Sequence, residues 1–280
     1  MREQKIALIL LLILCYAIVP ISEIDMSKGQ LSSIFIRSDG SIEGTTKIHV
    51  EGNQYTLTGN ITVHDPLVDG IYVEKDNIVI DGSGYTLEGN GEGVGIHLYQ
   101  RSGVAIMNFS IKNWYCGLSN PNSNCTIEGN LITECDIGIN LAGTHNCTFI
   151  RNDLLNNRDD IFLTTGHSNK FSGNNIGKLV WSTAFLVPGE NYFEGNYWGE
   201  YEGVDNNGDG FGDSPFMVYW VDYGEGNITC YDNHPLMEPS ANNPLMESTA
   251  NHEFILWIIL SLFLLTALFV FLVFRKRLFR

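Results

Sequence analysis

An acidic loop near the C-terminal end of the chain has the residues of a cation site. Residues 205–213 read DNNGDGFGD, so that Asp205, Asn207, Asp209 and Asp213 place oxygen-bearing side chains at positions 1, 3, 5 and 9. Ca²⁺ takes about six to eight hard oxygen ligands, and this alternation around a glycine turn is typical of calcium loops. An EF-hand loop has glutamate at position 12, where this chain has Phe216. The loop predicts a calcium site of another kind that holds the end of the domain, with a metal-free Asn/Gly turn as the alternative.

A second acidic group could cleave a sugar chain. Arg158, Asp159 and Asp160 are consecutive, and the tripeptide TGH at 165–167 follows them. Both faintly resemble the aspartate pair and the Gly-His motif of polygalacturonases. Hydrolysis of a glycosidic bond needs two carboxyl groups about 5 to 10 Å apart. Whether either aspartate has such a partner depends on the elements that position it.

Those elements repeat along the chain. Asparagine recurs at one constant interval, at Asn108, Asn130, Asn152, Asn174 and Asn196. Three positions before the last four of these the sequence has Ile127, Phe149, Phe171 and Phe193, and the small Ala105 precedes the first. A fixed period in the range of about 20 to 50 residues indicates a solenoid, in which each repeat buries its apolar face against its neighbours.

The composition of the repeat favours strands over helices. Each unit is rich in β-branched and aromatic residues and is interrupted every few positions by Gly, Asn, Ser or Asp. Three short strands and three turns fit one repeat, which predicts an all-β fold, a right-handed parallel β-helix of about seven coils. Adjacent coils would stack about 4.8 Å apart. The recurring asparagine is then expected to adopt the left-handed backbone of a tight bend and to bond to the next coil as a structural ladder.

The repeat length also determines which side chains meet. The residues one coil before and after Asp159 are Ile137 and Trp181, and neither neighbour of Asp160 is acidic. Consecutive residues of a strand face opposite sides. The sequence therefore offers neither aspartate a facing carboxylate, and a non-catalytic protein is favoured over an enzyme.

Two cysteines, Cys125 and Cys147, are separated by one full repeat. Their Cα atoms should lie within the range that a disulfide tolerates. In-register parallel neighbours are awkward for the bridge geometry, so a disulfide and a reduced stack both remain open.

The repeats resemble those of the pectin-lyase-like superfamily, whose right-handed coils occur in many carbohydrate-binding proteins and sugar hydrolases. A closer resemblance lies in residues 196–218, NYWGEYEGVDNNGDGFGDSPFMV, and in residues 232–237, DNHPLM. These segments are similar to the C-terminal signature of NosD-like periplasmic β-helix proteins. The resemblance covers roughly residues 50 to 240.

The NosD resemblance implies copper delivery to another protein as an alternative function. Copper favours imidazole, thiolate and thioether ligands. The candidates are His145 and His167, which should stack on adjacent coils, the nearby Cys147, and a separate pair formed by His234 and Met237. These residues do not have the spacing of a closed metal site.

Stacked coils also display rows of exposed side chains that suit an extended glycan. The aromatic candidates for such a surface are Trp114, Tyr115, Trp181, Tyr192, Tyr197 and Trp198. Aromatic residues also pack the core and the caps of a solenoid. The predicted function is a non-catalytic module that binds a carbohydrate or another extracellular protein, with copper delivery and a polysaccharide lyase or hydrolase as alternatives.

Apolar segments flank the repeats. Residues 1–22 have the layout of a signal peptide or an N-terminal anchor. Residues 253–274 are long enough to cross a membrane as one helix, and the basic tail 275–280 places the C-terminus in the cytoplasm. Between these ends we predict an N-terminal cap (23–52), the β-helix (53–200), a C-terminal cap (201–239) and a linker (240–252). The β-helix would then lie outside the cell, held at the membrane by a single span.

The charge of the chain limits its partners. The formal net charge is −16. Nucleic acid is an improbable partner because binding to phosphates needs cationic side chains. Divalent cations suit an acidic surface better.

Overall fold

In the computed structural model, which describes residues 33–181, 190–222 and 227–240, the chain forms strands and turns. In chain order the strands are β1 (Ile34–Ile36), β2 (Ile42–Glu43), β3 (Ile48–Glu51), β4 (Gln54–Leu57), β5 (Ile61–Thr62), β6 (Ile71–Val73), β7 (Val79–Asp81), β8 (Thr86–Glu88), β9 (Val94–Ser102), β10 (Ala105–Met107), β11 (Ser110–Lys112), β12 (Cys116–Ser123), β13 (Thr126–Glu128), β14 (Leu131–Thr133), β15 (Ile137–His145), β16 (Thr148–Ile150), β17 (Asp153–Leu155), β18 (Asp159–His167), β19 (Lys170–Ser172), β20 (Asn175–Ile176), β21 (Leu179–Trp181), β22 (Tyr192–Glu194), β23 (Tyr197–Trp198), β24 (Phe216–Asp222) and β25 (Asn227–Asp232).

Three sheets run along the molecule and form three faces. Face A has the order β2-β1-β6-β9-β12-β15-β18-β21, face B the order β24-β25-β22-β19-β16-β13-β10-β7-β4-β3, and face C the order β23-β20-β17-β14-β11-β8-β5. Only the terminal pairs β1–β2, β3–β4 and β24–β25 are antiparallel within the described residues. One coil passes through faces B, C and A in turn. The predicted parallel β-helix is therefore confirmed as a solenoid of right-handed type, but it has about six turns rather than the predicted seven coils.

Two expected segments lie outside the described residues. These are the N-terminal segment 1–22 and the apolar segment 253–274 with its basic tail. In the part of the chain that the structure describes, no helix is long and apolar enough to cross a membrane.

Each face sends at least one column of apolar side chains into the interior, because strand side chains alternate between the two sides of a sheet. The column of face B consists of Tyr55, Ile80, Ile106, Ile127, Phe149, Phe171 and Phe193. Its three phenylalanine rings stack with successive centroids 4.5 Å apart. The constant repeat length predicted Ala105 at this inward position of its coil. In the structure Ile106 occupies it.

A buried asparagine ladder follows the corner between faces B and C. The side-chain Nδ2 of Asn130, Asn152 and Asn174 donates to Oδ1 of the asparagine one coil further on, at 3.0, 3.0 and 2.9 Å. Each Nδ2 also donates to a carbonyl of the preceding coil, as Asn174 does to Phe149 at 2.9 Å. The ladder ends where Asn196 Nδ2 donates to the Asp232 carboxylate at 2.9 Å. Its amides are thus fully bonded, which is what makes a buried polar column stable.

Asn108 is not part of this ladder, which corrects the expectation from the sequence. Met107 pairs with Glu128, whereas Glu128 pairs with Ile150, so the first of these coils is one residue shorter than the second. Phe109 therefore holds the ladder position, and its backbone N–H donates to Asn130 Oδ1 at 3.0 Å. Asn108 is exposed one position earlier.

The left-handed bend of each coil lies one residue before the ladder position. Positive φ angles occur at Asn108 (57°), Gly129 (63°), Arg151 (50°), Gly173 (63°) and Gly195 (67°). Glycine adopts this conformation without the steric cost that other residues bear. In the recurring Gly-Asn pair the glycine therefore makes the turn, and the asparagine supplies the hydrogen bonds between coils.

Candidate functional site

A groove of about 450 Å³ lies on the outer surface of face A. Two outward rows of side chains form its floor, because β9, β12, β15 and β18 pair in register. The first row is Val94, Cys116, Ile137 and Asp159, and the second is His97, Ser119, Asn140 and Phe162. Tyr115, Asn120 and Arg158 complete the lining. The groove therefore has a mainly apolar row beside a mainly polar one.

Three oxygen atoms of the groove lack partners. Ser119 Oγ, Asn120 Oδ1 and Asn140 Oδ1 are buried and have no hydrogen-bond partner among the described residues. The whole Ser119 residue is only 3% exposed. A buried polar atom without a partner costs about 1 to 3 kcal/mol, and folded proteins contain few of them. The lining of the groove thus contains one hydroxyl and two amide oxygens whose capacity to accept hydrogen bonds the fold leaves unused.

Sequence reasoning missed these three residues because they do not belong to the repeated motif. The strand of Ser119 and Asn120 also departs from regular alternation, with register shifts after Ser119 and a positive φ of 51° at Asn120. Each coil has a different residue at these positions: His97, Ser119 and Asn140 occupy one row. The signal becomes visible only when the strands are placed in register.

His97 forms the N-terminal end of the polar row. Its ring stacks on Tyr72 with centroids 5.0 Å apart, and its Nδ1 accepts the Tyr99 backbone N–H at 3.4 Å. An imidazole that accepts at Nδ1 carries its proton on Nε2. Burial lowers the pKa of His97, partly offset by the carboxylate of Asp69. The hydrogen bond from Tyr99 and the burial of the ring therefore both favour the neutral form of the His97 imidazole.

An ion-pair chain borders the other end of the groove. Arg158 Nη1 lies 3.2 Å from Asp136, Arg158 Nε lies 3.5 Å from Asp159, and Lys178 Nζ lies 3.2 Å from Asp159. Asp160 faces the opposite side: it is 2% exposed and accepts hydrogen bonds from Asn157 Nδ2 at 2.8 Å and from the Lys178 backbone at 2.7 Å. Burial raises the pKa of Asp160. Of the two consecutive aspartates, only Asp159 lines the groove.

The two histidines proposed for copper meet on the same face, beyond the groove. The rings of His145 and His167 lie against each other with centroids 4.3 Å apart and planes tilted by 32°. Burial, and next the neighbouring His167, lowers the pKa of His145. His145 Nδ1 is buried without a hydrogen-bond partner among the described residues, whereas His167 Nδ1 lies 3.2 Å from Ser168 Oγ.

Cys147 does not join these histidines, because it points into the interior at the corner between faces A and B. There it belongs to a second column, in which the Cys125 N–H donates to Cys147 Sγ at 3.3 Å and the Cys147 N–H donates to Asn169 Oδ1 at 2.9 Å. Asn169 Nδ2 in turn donates to Asn191 Oδ1 at 2.9 Å. Cys125 and Cys147 are free thiols in the structure, which is the reduced stack left open above. The spacing of Asn169 and Asn191 would have disclosed this column.

The other copper candidates lie on the C-terminal cap. His234 Nδ1 is 2.6 Å from Glu194 Oε1 and the side chain is 63% exposed. Met237 follows on the same segment, and its backbone N–H donates to Gly210. Within the described residues, no three His, Cys, Asp or Glu side chains lie close enough together to hold a metal ion.

The acidic loop forms turns through its own backbone. Asp205 accepts the N–H groups of Gly208 at 2.7 Å and Gly210 at 2.9 Å, and these bonds, Gly210 first, lower the pKa of Asp205. Asp213 Oδ2 accepts the backbone and side-chain N–H of Asn206 at 2.8 and 2.7 Å. Asn207 and Asp209 likewise bond to each other. The geometry therefore accounts for these side chains as turn acceptors and gives calcium no support.

The predicted aromatic surface is divided among several places. Tyr115 is 47% exposed at the rim of the groove, and Tyr192 is 54% exposed on face B. Trp114 and Trp198 are core residues, with Trp114 Nε1 donating to the Leu87 carbonyl at 3.2 Å. Tyr197 is half-buried on face C. The side chain of Trp181 is not among those that the structure describes.

Comparison with known proteins gives one match. The model of the family described as "Periplasmic copper-binding protein (NosD)" matches residues 33–203, which is more than half of the chain. No curated protein and no solved structure matches the chain.

Proposed function

The chain belongs to the NosD family of periplasmic copper-binding proteins, and from this premise we propose that it is a periplasmic β-helix protein that binds a carbohydrate in the face A groove without cleaving it. The observation that carries the proposal is the set of three buried, unpartnered oxygens of Ser119, Asn120 and Asn140. Residues 253–274 would hold this domain at the membrane, a part of the proposal that rests on the apolar sequence and its basic tail.

A carbohydrate fits the two rows of the groove. A sugar presents several hydroxyl donors and also apolar C–H faces. The hydroxyls would donate to Ser119 and Asn140 in the polar row, and the C–H faces would lie against Val94, Cys116 and Ile137 in the other. Binding sites in proteins usually combine an apolar lining with a few polar groups that fix orientation.

The carboxylates favour binding over cleavage. Glycoside hydrolysis uses two carboxyl groups about 5 to 10 Å apart across the bond. Asp159 is the one carboxylate among the residues that line this groove, and Asp160 is buried on the other side of its strand. Asp159 also sits between Arg158 and Lys178, a position suited to a fixed negative charge.

A glycan array probed with the purified full-length chain tests the proposal. We expect binding to a subset of oligosaccharides, and a loss of about two- to tenfold in affinity in Ser119→Ala and Asn140→Ala, since each removes an acceptor worth about 0.5 to 1.5 kcal/mol. Asn122→Ala is the matched control, because Asn122 lies on the same strand as Ser119 but does not line the groove. An array without binding, or full binding by both groove variants, would reject the proposal.

Copper binding at His145 and His167 is a second candidate. The two neighbouring imidazoles could bind a copper ion through ring nitrogens at one edge of the pair, since imidazole suits copper and its nitrogen lone pairs lie in the ring plane. Titration of the full-length chain with Cu⁺ should then show one equivalent that is lost in His145→Ala and retained in His234→Ala. Binding that survives His145→Ala would place the copper elsewhere.

A further inference from the structure

We infer that the ion-pair chain of Asp136, Arg158, Asp159 and Lys178 makes the groove selective for neutral glycans over glycans that contain uronic acids. The inference rests on the proposed function, since it names the class of carbohydrate that the same groove accepts.

Arg158 is the residue that would otherwise attract an anion. Of the described residues that line the groove, it is the only lysine or arginine. A guanidinium group has five N–H donors in a planar fork and binds carboxylates in pairs of hydrogen bonds. A free arginine at this rim would therefore favour uronic acids.

Arg158 is not free. Its Nη1 is bonded to Asp136 at 3.2 Å and its Nε lies 3.5 Å from Asp159. Asp159 in turn has Lys178 Nζ at 3.2 Å. Two acidic and two basic side chains alternate in this chain, so their formal charges cancel. A uronate that approached Arg158 could use only the remaining N–H donors, and it would meet the two carboxylates that already lie against the guanidinium.

Stacking of the coils builds this arrangement. Asp136 and Arg158 occupy equivalent positions of successive coils, at the corner between faces C and A, and opposite charges on adjacent strands attract each other. Asp159 also lies within the groove, with its side chain 15% exposed, and would repel an anionic sugar at close range. The net charge of −16 opposes anions at longer range as well.

The test uses pairs of oligosaccharides that differ only in charge. The probes are the hexamers of galacturonate and of mannuronate, each with its carboxyl-reduced, neutral counterpart, titrated calorimetrically into the full-length chain. We expect the wild type to bind a neutral member up to about fivefold more tightly than its anionic partner, the upper range for one exposed charged contact.

Asp136→Asn removes a partner of Arg158 without touching the lining of the groove. It should raise the affinity for the anionic hexamer about fivefold, the upper range for an exposed ion pair, and high salt should abolish this gain. The matched control is Glu128→Gln, which frees Arg151 in a similar ion pair on face B and should leave both affinities unchanged. Thermal melts of both variants establish that they are folded.

The outcomes separate the inference from the proposed function. If the neutral hexamer binds and Asp136→Asn gains no affinity for the anionic one, or if the wild type prefers the anionic member, the selectivity inference is wrong while carbohydrate binding stands. If none of the four hexamers binds and the glycan array is also empty, the proposed function fails and the inference with it.

Discussion

The asparagines of the corner ladder and those of the face A groove differ in what their side-chain oxygens bond to. In the ladder, Asn152 Oδ1 accepts the backbone and side-chain N–H of Asn130 at 3.1 and 3.0 Å. In the groove, the Oδ1 atoms of Asn120 and Asn140 are buried but accept no hydrogen bond from the described residues. Since both places bury the amide oxygen, the difference separates residues that hold the coils together from residues whose oxygens the fold leaves unused.

The largest effect is expected from breaking the ladder in its middle. Asn152→Ala removes the acceptor of Asn130 and the donor to Asn174 and Ile127. The buried groups left unpaired should lower the free energy of unfolding by about 3 to 5 kcal/mol. Urea denaturation of the variant measures this, with Asn122→Ala as the control. A loss below about 1 kcal/mol would show that the ladder is not needed for stability.

The C-terminal end of the ladder should be almost as sensitive. Asp232 is fully buried, and its two oxygens accept hydrogen bonds from Gly195, Asn196, Trp198 and His234 at 2.9 to 3.2 Å. Asp232→Asn replaces one acceptor oxygen by an NH₂ group that faces these donors, at a cost of about 2 to 4 kcal/mol. The same denaturation experiment measures it. An unchanged unfolding midpoint would mean that the cap does not need a carboxylate.

A smaller effect is expected in the second column, at the position where the chain has Cys147 and the later coils have asparagine. Cys147 accepts a backbone N–H through Sγ in the position that Asn169 and Asn191 hold further along. Cys147→Asn should therefore be tolerated, with a change in unfolding free energy within about 1 kcal/mol. A loss as large as that of Asn152→Ala would show that this corner cannot hold an amide.

The smallest effect concerns pH. Burial lowers the pKa of His145 in the folded protein, whereas in the unfolded chain a histidine titrates near pH ~6.5. As the pH falls below that value, the unfolded state therefore binds more protons than the native state, and the free energy of unfolding decreases. Thermal melts at two pH values, above and below this window, should show lower stability at the acidic one.

His145→Gln should reduce this pH dependence, because glutamine does not titrate. The same substitution at the exposed His64 is the control. If His145→Gln leaves the pH dependence unchanged, the destabilisation at low pH arises at other groups.

The periodic part of this molecule was readable from the sequence. The repeat of Asn130, Asn152, Asn174 and Asn196 indicates coils of constant length, and the parallel β-helix follows from strand composition. The prediction that Asn108 belongs to the ladder was wrong, because the coil that follows it is one residue shorter than the later ones. Asn108 and Phe109 stand there in place of the Gly-Asn pair. An asparagine suits both the bend and the ladder position, so its type alone does not distinguish them.

The groove and the cap could not be read in this way. The groove row of His97, Ser119, Asn140 and Phe162 changes residue at every coil and has no periodic signal. Asp232 reaches the ladder through the antiparallel pair β24–β25, which interrupts the repeat. The groove row and the contact of Asp232 with the ladder both depend on how the strands align in the fold. Residue spacing predicts that alignment only where the repeat length is constant.

The most direct test of the account compares Asn140→Ala with Asn152→Ala in two assays, urea denaturation and affinity for a glycan that the array identifies. The account predicts that Asn140→Ala does not lower the unfolding midpoint but weakens glycan binding, whereas Asn152→Ala loses stability but binds normally while folded. If Asn140→Ala destabilises the fold and leaves glycan affinity unchanged, the groove amide is structural and the central claim is wrong.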